Sequence, residues 1–347
     1  MIIRLTLLER LLHRLHILPT PVMDAFAGVL FGRVLVIAVR RGLFEALAPG
    51  GADAPALAAA TGLDREAVAL IADACVAAGY LRRRGGTYVL APEGRKWFLR
   101  ESPDSLVSLV RYFEALHGRW NALEDSLEHR GPPQPYYASF TDEEWRGYAL
   151  AMRDLARQIL PHVAGAIRVP RGPALLVDIG GSHGLYALAL CGRHPDLRAV
   201  VMDFPPAARV AEEFIREAGL AQRATASAGD FLKSPIPAEA DVILMFNVVH
   251  GLSSEENGAL VRRALEALRP GGRLYILDQM RGEANVSGLG GFLPLMVGVN
   301  LMNEIGGTAY GVHDVEEWCG GKSRVRRIRL RLPGVTLLEI SQAVVHR

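Results

Sequence analysis

The sequence predicts an α/β protein with two parts: a doubly wound, mostly parallel sheet over the C-terminal two-thirds, and a smaller helical domain ahead of it. Three observations carry this. From residue 172, short apolar runs bounded by turn residues alternate with segments of helical length. The first of these runs, Ala174–Ile179, leads directly into Gly180-Gly181-Ser182-His183-Gly184 and then into an apolar helical stretch. Before residue 104 the pattern is helical, apart from two short strand-like runs around Gly85-Gly86.

At 347 residues, half of them hydrophobic, the chain exceeds one ordinary core and suits two domains, placed at 1–103 and 104–347. Residues 1–16 mix Leu and Ile with Arg4, Arg10, His13 and Arg14. The apolar runs are too short to span a bilayer, and charges interrupt any signal-peptide core. This stretch reads as an amphipathic helix that packs on a partner chain, with membrane-surface binding as the alternative. Residues 24–48 read as helix with Gly42 as a break. Two short helices follow near 54–60 and 64–78, the second capped by Asp64. Strands near 80–83 and 87–90 then close a winged helix.

Many winged helices bind DNA, but the recognition position here, Asp64–Ala78, offers Arg65 alone against Asp64, Glu66 and Asp73. A groove-reading helix needs Arg, Lys, Asn or Gln. Residues 1–100 carry 13 Lys and Arg against 8 Asp and Glu within a chain of net charge +2, so neither half demands a nucleic-acid partner. Cys75, Cys191 and Cys319 lie far apart, which suggests a reducing, cytoplasmic setting; no Cys/His cluster suggests a metal.

Long helices are expected at 104–130 and 141–167, the second started by Thr141-Asp142-Glu143-Glu144. Strands follow at 174–179, 199–203, about 224–228, 241–246 and 273–278, separated by helices near 184–193, 207–218 and 255–268. Two further strands, near 324–331 and 336–344, end the chain.

Glycines between a strand and a helix bring backbone close to a ligand at the carboxyl edge of the sheet. Such a loop alone also suits a dinucleotide. Three acids sharpen the reading. Asp178 begins the loop, Asp203 ends the second strand before Phe204-Pro205, and Asp230 follows Gly229 and precedes Phe231. No P-loop lysine is present. Three acids at successive strand ends favour a cationic, phosphate-free ligand, S-adenosylmethionine, over NAD(P) or a nucleotide.

Val177–Gly184, Asp203-Phe204-Pro205, Gly229-Asp230-Phe231 and Arg269-Pro270-Gly271-Gly272 together resemble the class I S-adenosylmethionine-dependent O-methyltransferases. The similar group is the one with an N-terminal winged-helix dimerisation domain, including plant caffeate and bacterial polyketide, phenazine and hydroxyneurosporene O-methyltransferases. Arg41–Leu47 and residues 79–94 share the likeness. The resemblance implies a Rossmann-like catalytic domain and a homodimer. It implies that Asp178, Gly180, Gly181, Ser182 and Gly184 hold the methionine end of the cofactor. Asp203 and Phe204 would lie at the ribose, Gly229, Asp230 and Phe231 at adenine, and Phe246 and Asn247 beside the sulfonium. Ser182 stands where the group usually has a third glycine.

His250, after the fourth strand, matches the group's general base, and Asp278, 28 residues later, matches an acid that orients it. Gly251-Leu252 departs from the usual Asp-Trp. A further acid that follows a Gly-Gly pair in the group is absent here, because Gly306-Gly307 is followed by Thr308-Ala309-Tyr310. A histidine near its ordinary pKa can take a phenolic proton as the methyl group moves. Candidates for the acceptor pocket are Phe113, His117, Trp120, Met152, Phe292, Met296, Asn300 and Asn303. Methionines and aromatics favour a flat, apolar small molecule such as an aromatic or polyketide-like hydroxyl compound. N- or C-methylation, S-adenosylmethionine use without simple methyl transfer, and a DNA-binding regulator are the rival readings; a neutral amine acceptor would not need His250.

Overall fold

The structure is a computed structural model that describes residues 6–15, 17–18, 20–282, 288–321 and 323–342. The helix expected over 1–16 lies outside the described residues at 1–5 and 16, as does the last expected strand at 343–344. The chain divides into two compact units, Met1–Gly118 and Arg119–Arg347.

The first unit opens with α1 (Leu7–Arg14), whose capping box pairs Thr6 with Glu9 and none of whose residues is buried. Thr20–Val22 (α2) and a π-helical turn over Met23–Ala27 lead into α3 (Gly28–Arg40). Gly42, in the left-handed region at φ +75°, separates α3 from α4 (Leu43–Ala46). After β1 (Ala52–Asp53) come α5 (Ala54–Thr61), α6 (Arg65–Ala77), β2 (Leu81–Arg84), β3 (Thr87–Leu90), α7 (Pro92–Phe98) and α8 (Val107–Trp120). Asp64 accepts from the Glu66 and Ala67 amides and so caps α6. Val36, Leu43, Phe44, Leu57, Val68, Tyr88 and Phe98 form the core. The ribbon has a third strand that periodicity did not indicate. β1 is two residues long, too short to show alternation, and pairs with β3.

The second unit begins within α8. The helix expected over 104–130 is two helices, because the chain breaks after Trp120 and resumes as α9 (Leu123–His129). The Trp120 indole N–H is held at this break by Asn300 Oδ1, 2.7 Å away. Gly118 just before the break and Asn121 just after it are weak helix formers, a local signal within the stretch read as one helix. Then come α10 (Asp142–Val163), β4 (Ala174–Ile179), α11 (Leu185–Arg193), β5 (Leu197–Asp203), α12 (Pro205–Glu217), β6 (Ala224–Ala228), β7 (Ala240–Phe246), α13 (Ser254–Ala267), β8 (Leu268–Asp278), α14 (Gly288–Ile305), α15 (Val312–Trp318), β9 (Ser323–Ile328) and β10 (Thr336–Gln342). The capping boxes Thr141–Glu144 and Ser253–Glu256 start α10 and α13.

Seven strands lie in the order β6-β5-β4-β7-β8-β10-β9. β6, β5, β4, β7 and β8 are mutually parallel, and β10 runs antiparallel to β8. β4 is flanked by β5 on one side and β7 on the other, so the winding reverses at β4 and opens a crevice at its carboxyl end. Alternate residues feed two cores, as the two-residue strand period requires. Leu176, Leu244 and Tyr275 face one, with α10, α11 and α12; Val177, Ile243 and Ile276 face the other, with α13 and α15. At about 1.5–3 kcal/mol per fully buried large apolar side chain, these layers hold the loop ends rigidly enough to aim side chains. Among the described residues no helix is long and apolar enough to cross a membrane.

Candidate active site

The glycines of the loop after β4 are explained by left-handed backbone at Gly180 and Gly184 and by crowding at Gly180 and Gly181. Gly180 and Gly184 sit at φ +66° and +62°. A Cβ on Gly180 would lie 2.6 Å from Val248 Cγ2, and one on Gly181 would lie 2.7 Å from the Asp178 carboxyl carbon. Ser182 occupies the left-handed region at φ +43°, a conformation costly for any residue with a Cβ. The loop is tied to β5 through one carboxylate. The Ser182 amide donates to Asp203 Oδ2 at 2.8 Å, and the Phe204 amide donates to Oδ1 at 2.7 Å.

Asp178 and Asp203 are both buried, and their charges oppose one another. Burial, together with the nearby Asp203 charge, pushes Asp178 up to about 7 against the stabilising Ala187 amide. Burial likewise pushes Asp203 up to about 6, despite the Phe204 and Ser182 amides. Asp178 Oδ2 is buried with no hydrogen-bond partner. Two adjacent buried carboxylates, one with an unpartnered oxygen, lower their energy when a cation approaches. The residues present therefore fit a cationic ligand such as S-adenosylmethionine.

Phe204 and Phe231 pack with ring centres 5.3 Å apart, and Tyr186 meets Phe246 edge-on at 4.9 Å. The Gly229 amide donates to the Asp203 carbonyl at 2.9 Å, which joins the β6 loop to β5. Asp230 is partly engaged within its own turn, accepting from the Leu232 amide at 3.0 Å and meeting Lys233 at 3.1 Å. Asn247, another left-handed residue at φ +56°, accepts from Gln279 Nε2 at 2.9 Å.

A 3-10 turn, Val249–Gly251, carries His250. Asn257 Nδ2 donates to the Val249 carbonyl at 2.8 Å, and the Thr308 amide donates to the His250 carbonyl at 2.9 Å, so the turn is pinned from both sides. His250 Nδ1 lies 2.8 Å from Asp278 Oδ1, which also accepts from the Gln279 amide at 2.8 Å. Burial alone would push the imidazole down. The Asp278 charge, its hydrogen bond and the Glu304 charge outweigh this and hold His250 above the usual histidine value. With Nδ1–H donating to Asp278, Nε2 is left as the nitrogen that can accept a proton.

The acceptor candidates divide by position. Trp120, Asn300 and Asn303 converge, since Asn300 holds the Trp120 indole and Asn303 Nδ2 reaches the Arg119 carbonyl at 3.3 Å. Met152 is half-buried on α10, while Phe292 and Met296 on α14 are exposed. Phe113 and His117 belong to the first unit, where His117 Nδ1 lies 2.6 Å from the Phe113 carbonyl, one helical turn back.

Three residues near this site escaped the sequence reading. Tyr148 on α10 is pushed up to about 12, chiefly by burial, and feels both Glu304 and Asp203. Arg119 stacks over the Tyr136 ring at 4.3 Å. Glu304, 5% exposed, lies 3.9 Å from Arg119 and is coupled to His250. Glu304 precedes Gly306-Gly307, whereas the expected acid position follows that pair; only the course of α14 brings this carboxylate inward.

Residues 134–315, more than half of the chain, match the model of the O-methyltransferase domain family. The chain belongs to that family and is an S-adenosylmethionine-dependent O-methyltransferase. It is 28% identical over 333 residues to the 3-hydroxy-5-methyl-1-naphthoate 3-O-methyltransferase of Streptomyces sahachiroi, covering 91% of this chain and 93% of that one. It is also 28% identical over 276 residues to the mitomycin biosynthesis 6-O-methyltransferase of Streptomyces lavendulae, covering 76% of this chain and 78% of the other. Human N-acetylserotonin methyltransferase in complex with S-adenosylmethionine has the same fold, with a TM-score of 0.82, 21% identity, and coverage of 92% and 96% of the two chains.

Proposed function

We propose that this enzyme methylates a hydroxyl group on an aromatic or polyketide-like small molecule, with His250 as the general base. The His250–Asp278 contact carries this reading, because a histidine whose Nδ1 is fixed by a buried carboxylate presents Nε2 for proton abstraction. S-adenosylmethionine would be held by Asp178, Gly180, Gly181, Ser182, Gly184 and Asp203, with Phe204, Gly229, Asp230, Phe231, Phe246 and Asn247 completing its site, and when bound it would supply the electrophilic methyl group. His250 removes the acceptor's proton as its oxygen becomes nucleophilic. Asp278 keeps the ring in one tautomer and stabilises the imidazolium that forms. The aromatic and amide side chains Trp120, Met152, Phe292, Met296, Asn300 and Asn303 orient the acceptor, which converts a bimolecular encounter into a positioned one.

The first unit is proposed to be a winged-helix dimerisation module rather than a DNA reader, since α6 presents Arg65 as its one basic residue. Leu7, Leu8, Leu11, Phe26 and Val29 leave a large apolar surface exposed in the single chain, as expected of an interface between two copies. Three free, buried cysteines suit a reducing, cytoplasmic location.

The deciding experiment incubates the purified protein with S-adenosylmethionine and a panel of phenols, naphthols and polyketide hydroxyl compounds, with matched amines, and measures S-adenosylhomocysteine. Turnover of hydroxyl acceptors with mass gain on oxygen is expected. Turnover of amines alone would overturn the reading.

A further inference from the structure

Near His250 lies a pair, Arg119 and Glu304, that has no role toward the acceptor in the methyl transfer proposed above. Arg119 Nη1 and Glu304 Oε1 are both buried, both lack a hydrogen-bond partner, and lie 3.9 Å apart. That separation is too long for a direct hydrogen bond. It suits one oxygen between them, since an oxygen at about 2.8 Å from each closes the triangle with ordinary bond lengths.

The surroundings hold the two groups apart and in place. Asn300 hydrogen-bonds Glu304 while its Oδ1 accepts from Trp120 at 2.7 Å. Asn303, buried and with its own Oδ1 unpartnered, donates to the Arg119 carbonyl. Tyr136 and Phe140 lie against the guanidinium at 4.3 and 5.7 Å. Glu304 is coupled to His250 on one side, and Tyr148 feels both Glu304 and Asp203, so the cluster faces the same interior as the proposed base and cofactor acids.

We propose that Arg119 and Glu304 form a specificity site for a second hydroxyl on the acceptor, one that accepts from Arg119 Nη1 and donates to Glu304 Oε1. This rests on the hydroxyl-methylation reading above. The chemistry of the pair selects among polar groups. A ketone or ether can accept from Arg119 but gives the ionised Glu304 carboxylate no proton to accept. A carboxylate adds an anion beside a buried acid that burial already pushes up to about 7, against the opposing effects of Arg119, Asn300 and His250. An ammonium group would face Arg119. A neutral hydroxyl satisfies both partners. An acceptor lacking it leaves two buried polar atoms unpaired, and sites built this way discriminate strongly.

The test compares matched acceptors, 1-naphthol and 2-naphthol against 1,2-, 1,3-, 1,8- and 2,3-dihydroxynaphthalene, by S-adenosylhomocysteine formation. At least one diol should exceed its parent naphthol in kcat/KM by about 10- to 100-fold, the range expected for hydrogen bonds to charged groups. In Glu304→Gln and Arg119→Met that preference should collapse, mainly through a higher KM for the diol. Thermal shift with S-adenosylhomocysteine and each acceptor gives a second readout on wild-type protein: the preferred diol should stabilise the enzyme more than its parent. Equal kcat/KM within every pair, or a preference untouched by both variants in folded protein, would overturn this site while leaving hydroxyl methylation standing. If none of these compounds is methylated but amines are, both readings fall.

Discussion

Asp178 and Asp203 lie at the carboxyl ends of adjacent parallel strands, and burial raises both of their pKa values, the Asp203 charge raising Asp178 further. Ser182 is hydrogen-bonded to one acid, and Gly181 leaves no room for a Cβ against the other. The cofactor loop is therefore shaped around two buried carboxylates whose charged forms burial disfavours until a cation joins them.

Cofactor affinity should depend on pH for this reason. In the free enzyme Asp178 and Asp203 are half-protonated near pH 7 and pH 6, whereas unfolded aspartates lose their protons near pH 4. The folded chain binds more protons than the unfolded chain in that window, so these groups lower stability as pH rises from about 4 to 7. Binding of a cation releases those protons. The rise in melting temperature on adding S-adenosylmethionine should grow from pH 5.5 to pH 7.5, and calorimetry in buffers of different ionisation heat should detect proton release. Asp203→Ala should weaken binding by about 1–3 kcal/mol. A pH-independent affinity would contradict the assignment.

Turnover should lose its base in His250→Ala, slowing about 10²–10⁴-fold with little change in S-adenosylmethionine affinity. His250 acts only when neutral and its pKa is raised, so the acidic limb of kcat in the wild type should lie above the ordinary histidine value of about 6.5. Asp278→Asn removes the charge that raises it and should move that limb to lower pH, with a smaller loss of rate than His250→Ala. Near-normal turnover of His250→Ala at neutral pH would exclude the base role.

The loop after β4 offers a test of strain. Ser182→Gly relieves a left-handed backbone and removes a buried hydroxyl without a partner, so the ligand-free protein should gain about 0.5–1 kcal/mol in denaturant unfolding. Gly181→Ala should do the opposite and abolish cofactor binding, because its Cβ would meet Asp178 and Val201 within 2.8 Å. Equal stability of the two variants would show that crowding does not shape this loop.

Association should depend on the first unit. Phe26 and Val29 are 66% and 64% exposed on successive turns. The double variant Phe26→Asp, Val29→Asp should shift the mass measured by light scattering from two chains to one at micromolar concentration. A wild-type protein already monomeric there would remove the basis for a dimer.

Much of the second unit follows from local pattern. β4 and β6 occupy the residues expected, and the capping boxes at Thr141 and Ser253 mark where α10 and α13 start. The loop glycines and the strand-end acids could also be read directly, because a tight turn and a strand end are properties of a few consecutive residues. The same is true of the 28-residue interval between His250 and Asp278, though not of their contact. Other features depend on partners far along the chain. The Trp120 indole is held by Asn300, 180 residues away. The strand pairing of Ala52–Asp53 needs Thr87 and Tyr88. The inward course of α14 puts Glu304 beside Arg119, although the local sequence around Gly306-Gly307 offers no acid at the expected place. Periodicity and capping report what a segment does with its own neighbours in sequence. Burial, charge coupling and unpaired polar atoms arise only when distant segments meet, so the composition of the polar cluster beside His250 was decided by the tertiary structure.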